Sequence, residues 1–196
     1  MKKSTLVIVI IIAVVLIFGG CGVSKYNSLV RQDEGVKNKW GAVQSQYQRR
    51  ADLIPNLVST VKGAANFEKE TLTQVMEARA KATQVTINAD DLTPEKLQQF
   101  QQAQGQLSSA LGRLLAVSES YPELKANQNF LDLQAQLEGT ENRITVARND
   151  YNDAVKEYNS GVRTFPGNII AGIGGFDKKT PFEADKGSEN APKVAF

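Results

Sequence analysis

A long apolar stretch near the amino terminus constrains this chain more than any other feature of its sequence. The run from Leu6 to Phe18 is unbroken, and the eighteen residues Leu6–Val23 contain no charge. As a helix, this uncharged stretch would extend about 27 Å, close to the roughly 30 Å hydrocarbon layer of a bilayer. Lys2 and Lys3 precede it, as basic residues precede both membrane spans and signal peptides. The sequence therefore predicts that residues 1–23 attach the chain to a membrane.

The single cysteine at the end of this run allows two modes of attachment. Phe18-Gly19-Gly20-Cys21 resembles a bacterial lipobox, in which signal peptidase cuts before a cysteine that then carries lipid. In that case residues 1–23 contain a lipoprotein signal, and Cys21 is the lipidation site. Phe18 stands where an aliphatic residue is usual, however, so we favour an uncleaved transmembrane anchor in which Cys21 simply lies within the helix.

The direction of insertion is predicted from charge and from the lipobox. Lys2 and Lys3 suggest an inward amino terminus and an exported body. Four basic residues just after the span point the other way: Lys25, Arg31, Lys37 and Lys39. Large domains cross membranes largely regardless of charge, and a lipobox makes sense only for an exported domain. We therefore expect a bacterial membrane protein with one amino-terminal anchor and its bundle outside the cytoplasm.

Composition argues against several classes of function. The chain has no histidine and one cysteine, so it lacks the commonest general base, the commonest metal ligand and any internal disulfide. Its net charge of +2 comes from Lys2 and Lys3, and the remainder is electrically balanced. A balanced domain lacks the phosphate attraction that supports nucleic-acid binding. We predict no enzyme activity, catalytic residue, cofactor, metal, small-molecule substrate or nucleic-acid partner.

Beyond the anchor, apolar residues recur at helical spacing. A first stripe runs from Leu29 to Tyr47 without a strong break from the apolar run, so one rod is predicted there. Pro55 is predicted to end or kink this rod, with Asp52 capping a second helix whose stripe extends from Leu57 to Ala82.

Two more helices are predicted further along the chain. Residues 85–92 are expected to form a loop, and Thr93-Pro94-Glu95 is a strong helix start. The third stripe runs from Leu97 to Tyr121, before Pro122, and a fourth helix is predicted from about Asn127 to Val162. The apolar stripes of such helices are buried only when the helices pack side by side. The predicted fold is all-α: an elongated antiparallel bundle of about four long helices, preceded by an N-terminal membrane helix.

The bundle is assigned to residues 24–176 and a flexible carboxy-terminal tail to residues 177–196. The glycine-rich stretch Ala171–Phe176 lacks the Lys-Ser/Thr ending of a phosphate loop. It is interpreted as a flexible segment after the last helix, with Ile169, Ile170 and Phe176 against the bundle.

Four charged residues are candidate contact residues. Arg49, Arg50 and Asp52 form a dense motif that would suit lipid headgroups or a partner's carboxylates. The preferred interpretation is structural, with the arginines at the negative end of a helix before an Asp cap. Glu141 falls where an apolar residue is expected. A buried pair with Arg49, Arg50 or Arg79 of another helix is predicted to fix the register of the bundle.

Several motifs together resemble the bacterial LemA family. They are Gln46–Val58 with Val61-Lys62-Gly63, Glu77–Ala82, Tyr121–Ala126, Leu137–Ile144, Tyr158-Asn159 and Phe165-Pro166. The resemblance covers about residues 26–176 and implies a membrane segment followed by long antiparallel helices. It supplies no settled molecular function and no catalytic residues. Family members have been described with a short amino terminus outside, opposite to the orientation predicted above.

Three functions are compatible with these features. The first is a scaffold or adaptor whose partners are membrane lipid, other envelope proteins and, as a homo-oligomer, a second copy of the chain. The second is a sensor or regulatory stalk in which the anchor and the first helix move together. The third and least favoured is a hydrolase that uses carboxylates alone.

Overall fold

The computed structural model describes residues 3–63 and 68–183, with backbone alone at residues 3–7, Val14 and Phe18. Every regular element in these ranges is a helix, which confirms the all-α class. The helices are α1 (Lys3–Lys62), α2 (Lys69–Gln84), α3 (Pro94–Ser118), α4 (Pro122–Lys125), α5 (Gln128–Arg163) and α6 (Gly167–Gly174). One turn of 3-10 helix, Ala89–Asp91, lies in the predicted loop between α2 and α3.

The apolar run and the first bundle helix form one helix, as predicted. α1 has 60 residues, which corresponds to a length of about 90 Å. The apolar side chains of Ile8–Ile12 and Val15–Ile17 are exposed, whereas Leu29, Val36 and Trp40 of the same helix are buried. Its exposed portion is long and apolar enough to cross a bilayer, which fits a membrane anchor.

The helix boundary predicted at Pro55 is wrong, because α1 continues through this residue to Lys62. Asp52 is therefore not a helix cap; it is exposed inside α1 and accepts a hydrogen bond from Gln48 Nε2 at 2.8 Å. The predicted second stripe is divided between two helices: Leu57 and Val61 are buried in α1, and Leu72, Val75 and Ala82 in α2. Ala64, between them, lies outside the described residues.

The later helix starts follow local signals in the sequence. The Thr93 hydroxyl accepts a hydrogen bond from the Lys96 amide at 3.3 Å, with Pro94 in the first turn of α3. Asn127 caps α5 in the same way, with its Oδ1 accepting from the Phe130 amide at 3.2 Å. The start at Thr93 was predicted from this cap and proline, and the start near Asn127 was predicted from the apolar stripe that follows it.

The core of the bundle divides into two parts along its length. The part nearer the anchor is aromatic, and the Trp40 ring centroid lies within 5.5–5.9 Å of those of Phe100, Tyr151 and Phe182. The distant part is aliphatic and includes Ile54, Leu57, Val61, Leu107, Leu114 and Leu137. α1, α3 and α5 contribute to both parts, and α1 and α5 share the most extensive contact between two helices described here, so this pair forms the axis of the molecule.

The first residues of the predicted flexible tail are held in place. Asn159 exchanges two hydrogen bonds with the backbone of Lys179 (2.8 and 2.9 Å), and Asn152 does the same with Phe182 (3.1 and 2.8 Å). Asn152 and Asn159 are two helical turns apart, a rise of about 10 Å along α5. Lys179 and Phe182 are three residues apart, which in extended chain is also about 10 Å, so each asparagine lies opposite its backbone partner. Residues 177–183 are thus an extended strap along α5. The remainder of the predicted tail, 184–196, lies outside the described residues.

The glycine-rich stretch is also more ordered than predicted, because most of it belongs to α6. This helix ends at Gly175, whose φ of 72° is the left-handed conformation that glycine adopts readily. Ile170 and Phe176 pack against the aromatic part of the core, as expected. Ile169, which was predicted to do the same, is exposed.

Candidate partner-binding surface and the arginine layer beneath it

Arg50 lies at the boundary between the aromatic and aliphatic parts of the core. Its guanidinium donates hydrogen bonds to Glu141 Oε2 on α5 (2.8 Å) and to Gln104 Oε1 and Ser108 Oγ on α3 (2.6 and 2.9 Å). We call these four residues the arginine layer. Because α1, α3 and α5 each contribute to it, the layer sets the register of these helices relative to one another.

The layer also reaches α2 and the neighbouring aromatic ring. Gln104 Nε2 donates to the carbonyl oxygen of Ala82 in α2 at 3.3 Å. The Arg50 guanidinium carbon lies 5.1 Å from the centroid of the Tyr47 ring, a cation–π distance. All four long helices therefore contact one set of polar side chains in the middle of the bundle.

The structure places Arg50 and Glu141 in contact, but only one of them is buried. The Arg50 side chain is 3% exposed and the Glu141 side chain 55% exposed. The expectation that Glu141 occupies a core position is therefore wrong, and Thr140 beside it takes that place. Glu141 lies at the solvent-exposed edge of the layer, and its carboxylate accepts a hydrogen bond from the buried Arg50 guanidinium.

Arg49 and Asp52 lie on the opposite, water-facing side of α1. The interpretation of Arg49 and Arg50 as helix-end cations is wrong, because α1 continues for about three turns beyond them. Arg49 and Asp52 are exposed and line a shallow surface groove together with other polar residues of α1. We call this surface the polar groove; it is lined by residues of α1 alone, namely Gly41, Gln44, Ser45, Gln46, Gln48, Arg49, Asp52 and Leu53.

A second charged cluster lies nearer the anchor and was not predicted. Asp33 binds Lys37 at 3.1 Å and Lys179 of the strap at 2.8 Å. Lys37 also binds Asp90 in the loop after α2 at 2.8 Å and Glu34 at 3.1 Å. We call these five residues the charge clamp. The spacing of Asp33 and Lys37 is visible in the sequence as an i, i+4 pair, whereas Lys179 and Asp90 join them only through the fold.

The contacts of the clamp favour the ionised forms of Asp33 and Lys37. Burial opposes ionisation of Asp33, but hydrogen bonds from Lys179 and Lys37 outweigh it, and the pKa of Asp33 lies below its ordinary value. Hydrogen bonds to Asp90, Glu34 and Asp33 raise the pKa of Lys37. A catalytic general acid needs a raised carboxyl pKa, so this shift does not favour the hydrolase hypothesis. Within residues 3–63 and 68–183, no group of three or more His, Cys, Asp or Glu residues could hold a metal ion.

Cys21 is exposed on α1, close to the end of the apolar run. An exposed thiol in this position suits both of the attachment modes considered from the sequence. Lipidation of Cys21 stays a prediction.

Comparison with known families decides the relationship suggested by the motifs. A family model described as the LemA family matches residues 39–196. The chain belongs to the LemA family. The match to this LemA model covers the polar groove, the arginine layer and the strap, and extends beyond the bundle boundary predicted at residue 176.

Relatives in bacteria are distant but match most of the chain. Protein LemA of Metamycoplasma hominis is 28% identical over 149 residues, which cover 76% of this chain and 64% of that protein. Magnetosome protein MamQ 2 of Paramagnetospirillum magneticum is 26% identical over 189 residues, covering 87% of this chain and 68% of the relative. Magnetosome protein MamQ of Magnetospirillum gryphiswaldense is 23% identical with the same coverage. The chain thus spans about two thirds of these proteins, and none of the names states an enzymatic activity.

Proposed function

We propose that this LemA-family chain is a membrane-anchored scaffold that presents its polar groove to other proteins of the bacterial envelope. The observation that carries the proposal is the continuity of α1 from the apolar run through Arg49 and Asp52 to Lys62. One helix thus contains both the anchor and the groove, and the fold holds them at a set distance from each other.

That distance favours a protein partner over lipid headgroups for the groove. Arg49 lies 26 residues beyond Val23 in the same helix, which corresponds to roughly 39 Å. Electrostatic attraction to a membrane surface decays within a Debye length, about 8 Å at physiological salt. An arginine beside amide side chains and one carboxylate is suited instead to hydrogen bonds with a partner's polar backbone and carboxylates.

The arginine layer supports the same proposal by holding the groove rigid. Arg49 is exposed in the groove, while Arg50, the next residue, is buried in the layer. A surface supported in this way loses little conformational entropy when it binds, because its backbone is already ordered.

The bundle is proposed to lie outside the cytoplasm, and the intact mass of the membrane-extracted chain tests this. Loss of residues 1–20 with a diacylglycerol on Cys21 supports export, whereas an unmodified chain favours the uncleaved anchor.

Photo-crosslinking in native membranes tests the scaffold proposal. A photoreactive residue at Arg49 probes the groove, and one at Asn142 is the matched control. Asn142 is exposed on α5 next to Glu141, at the same level of the bundle as Arg50 but outside the groove. We expect discrete adducts with other proteins from position 49 and none from position 142. Equal labelling from both positions, or monomer alone, would contradict the proposal, and adducts of twice the chain's mass would identify a second copy as the partner.

A regulatory stalk is a second candidate, and the same continuity of α1 favours it. Inserting seven glycines after Ser24 makes a flexible joint between anchor and bundle. Inserting seven alanines, close to two whole turns, is the control that keeps both the helix and the direction in which the bundle faces. A stalk requires that the glycines change the crosslinks from position 49 while the alanines do not. Unchanged crosslinks in both variants would contradict the stalk hypothesis and would remain compatible with the scaffold proposal.

A further inference from the structure

We propose that α6 is a second membrane contact, which lies at the bilayer surface beside the anchor and inserts Ile169 and Ile173 into lipid. This inference rests on the membrane anchoring in the proposed function and is independent of any protein partner. Its basis is the position of α6 along α1 and the chemistry of its outer face.

The position of α6 is given by its contacts with α1. A β-carbon added at Gly22 would lie 3.7 Å from Ile170 Cδ1, and one added at Gly174 would lie 3.1 Å from Tyr26 Cε2. The ring of Phe176, just after α6, packs edge-on against Tyr26 with centroids 5.4 Å apart. Residues 22 and 26 flank the end of the uncharged stretch, so α6 is level with the predicted edge of the bilayer core.

The outer face of α6 is apolar and has no cover in the described part of the chain. Ile169 is 53% exposed and Ile173 82% exposed, and their spacing of four places both on one side of the helix. Phe165, just before the helix, is 79% exposed. Gly167 and Ala171 are buried on the other side, against the bundle. α6 contains no charged residue, and its one polar side chain, Asn168, is exposed. The face that carries Ile169 and Ile173 is apolar, and a face of this kind is normally covered.

Lipid is the environment that best fits the exposed apolar face of α6. The outer face of α6 lies beside the exposed apolar surface of α1, where Val23 and, before it, Ile8–Ile12 and Val15–Ile17 are also exposed. Tyr26 is partly exposed at the same level, where aromatic residues are enriched in membrane proteins. Exposed Lys25 and Arg163 flank the helix and can reach headgroups. Exposed Asp177 offsets part of that attraction, so the apolar contact carries the interaction.

Tryptophan quenching in vesicles tests this inference with the purified full-length chain and without partner proteins. Ile173→Trp probes α6 in phosphatidylcholine vesicles that contain lipids brominated on their upper acyl carbons. Val146→Trp is the matched control, because Val146 is 60% exposed on α5 but lies roughly 26 Å from the end of that helix nearest α6. Val23→Trp reports on the anchor in either attachment mode. Trp40 is buried and supplies the same background in every variant.

We expect bromine quenching of Ile173→Trp to exceed that of Val146→Trp several-fold and to be comparable to that of Val23→Trp. Quenching at Val23→Trp without quenching at Ile173→Trp would overturn the inference while leaving the anchor intact. Absence of quenching at both would overturn membrane attachment as well. Emission from Ile173→Trp that shifts to the blue with protein concentration, without quenching, would show that a second copy covers α6 and would also overturn it.

Discussion

The backbone carbonyl oxygen of Ala51 accepts a hydrogen bond from Nε of Arg79 at 2.7 Å. In an α-helix this oxygen would bind the amide of the residue four positions later, which here is Pro55 and has no N–H. Arg79 of α2 thus supplies the donor that proline removes from α1. This contact between helices explains why α1 passes through Pro55 without ending.

Removing the Arg79 side chain is expected to destabilise the protein only as long as Pro55 is present. Arg79→Met should lower the free energy of unfolding by about 2 kcal/mol, because a charged donor to a carbonyl is worth roughly 1.5–3 kcal/mol. In a Pro55→Ala background the helix supplies its own amide, and the same substitution should cost much less. Urea unfolding of the four proteins in detergent measures the interaction. Losses that simply add would show that the two residues act independently.

The arginine layer is predicted to be asymmetric in its response to substitution. Arg50→Met should cost about 3 kcal/mol, since it leaves the buried oxygen of Gln104 without its donor. Glu141→Gln should cost less than about 1 kcal/mol, because the exposed amide keeps an acceptor for the guanidinium. Thermal unfolding compares these variants with Arg49→Met, an exposed neighbour expected to be near neutral. A larger loss for Glu141→Gln than for Arg50→Met would contradict the assignment of Arg50 as the buried member.

The strap is predicted to depend on two asparagines of α5. Asn152→Ala and Asn159→Ala each remove two hydrogen bonds to the backbone of residues 179–182, worth about 1 kcal/mol apiece. We expect faster amide hydrogen exchange at Lys179 and Phe182 in the double variant, while α5 itself keeps its protection. Asn142→Ala is the control on the same helix. Unchanged exchange at both amides would mean that other contacts hold the strap, namely the buried Phe182 side chain, the Lys179–Asp33 ion pair and the hydrogen bond from the Tyr151 hydroxyl to the Thr180 carbonyl.

The charge clamp is predicted to weaken at acidic pH. The folded-state pKa of Asp33 lies below its unfolded value, which is about 3.9, so the folded form binds the proton less well. Its contribution to stability is therefore present at neutral pH and is lost as pH falls from the ordinary aspartate range through the lowered value. The stability difference between the wild type and Asp33→Asn should shrink over that interval. Asp52→Asn serves as control, and a difference that stays constant with pH would contradict the role of Asp33.

The sequence was sufficient for those features that depend on neighbours along the chain. The caps at Thr93 and Asn127 act within one turn, and the apolar stripes repeat with the period of the helix, so α3 and α5 could be predicted closely. Pro55 was misinterpreted because its compensation comes from Arg79 on another helix. The strap was missed for a similar reason: Asn152 and Asn159 show a two-turn spacing on α5, but nothing local indicates which backbone they bind.

The candidate site likewise contains some features that the local sequence predicts and others that depend on the fold. A charge at Glu141 in helical phase correctly suggested an arginine from another helix, yet burial of one partner and exposure of the other depends on side-chain directions that spacing alone does not determine. Asp33 and Lys37 could have been recognised as a helical pair. α6 was missed because its glycines have low helix propensity, and its packing against Tyr26 and α5 overrides that preference.

Because α1 is continuous, a change in the tilt of its membrane span also moves the far end of the bundle. Lys62 lies 39 residues beyond Val23 in the same continuous helix. A change of about 10° in the tilt of the span, well inside the range that transmembrane helices adopt, would swing Lys62 sideways by roughly 10 Å. The tilt of the membrane span would thereby determine the lateral position of the bundle's far end.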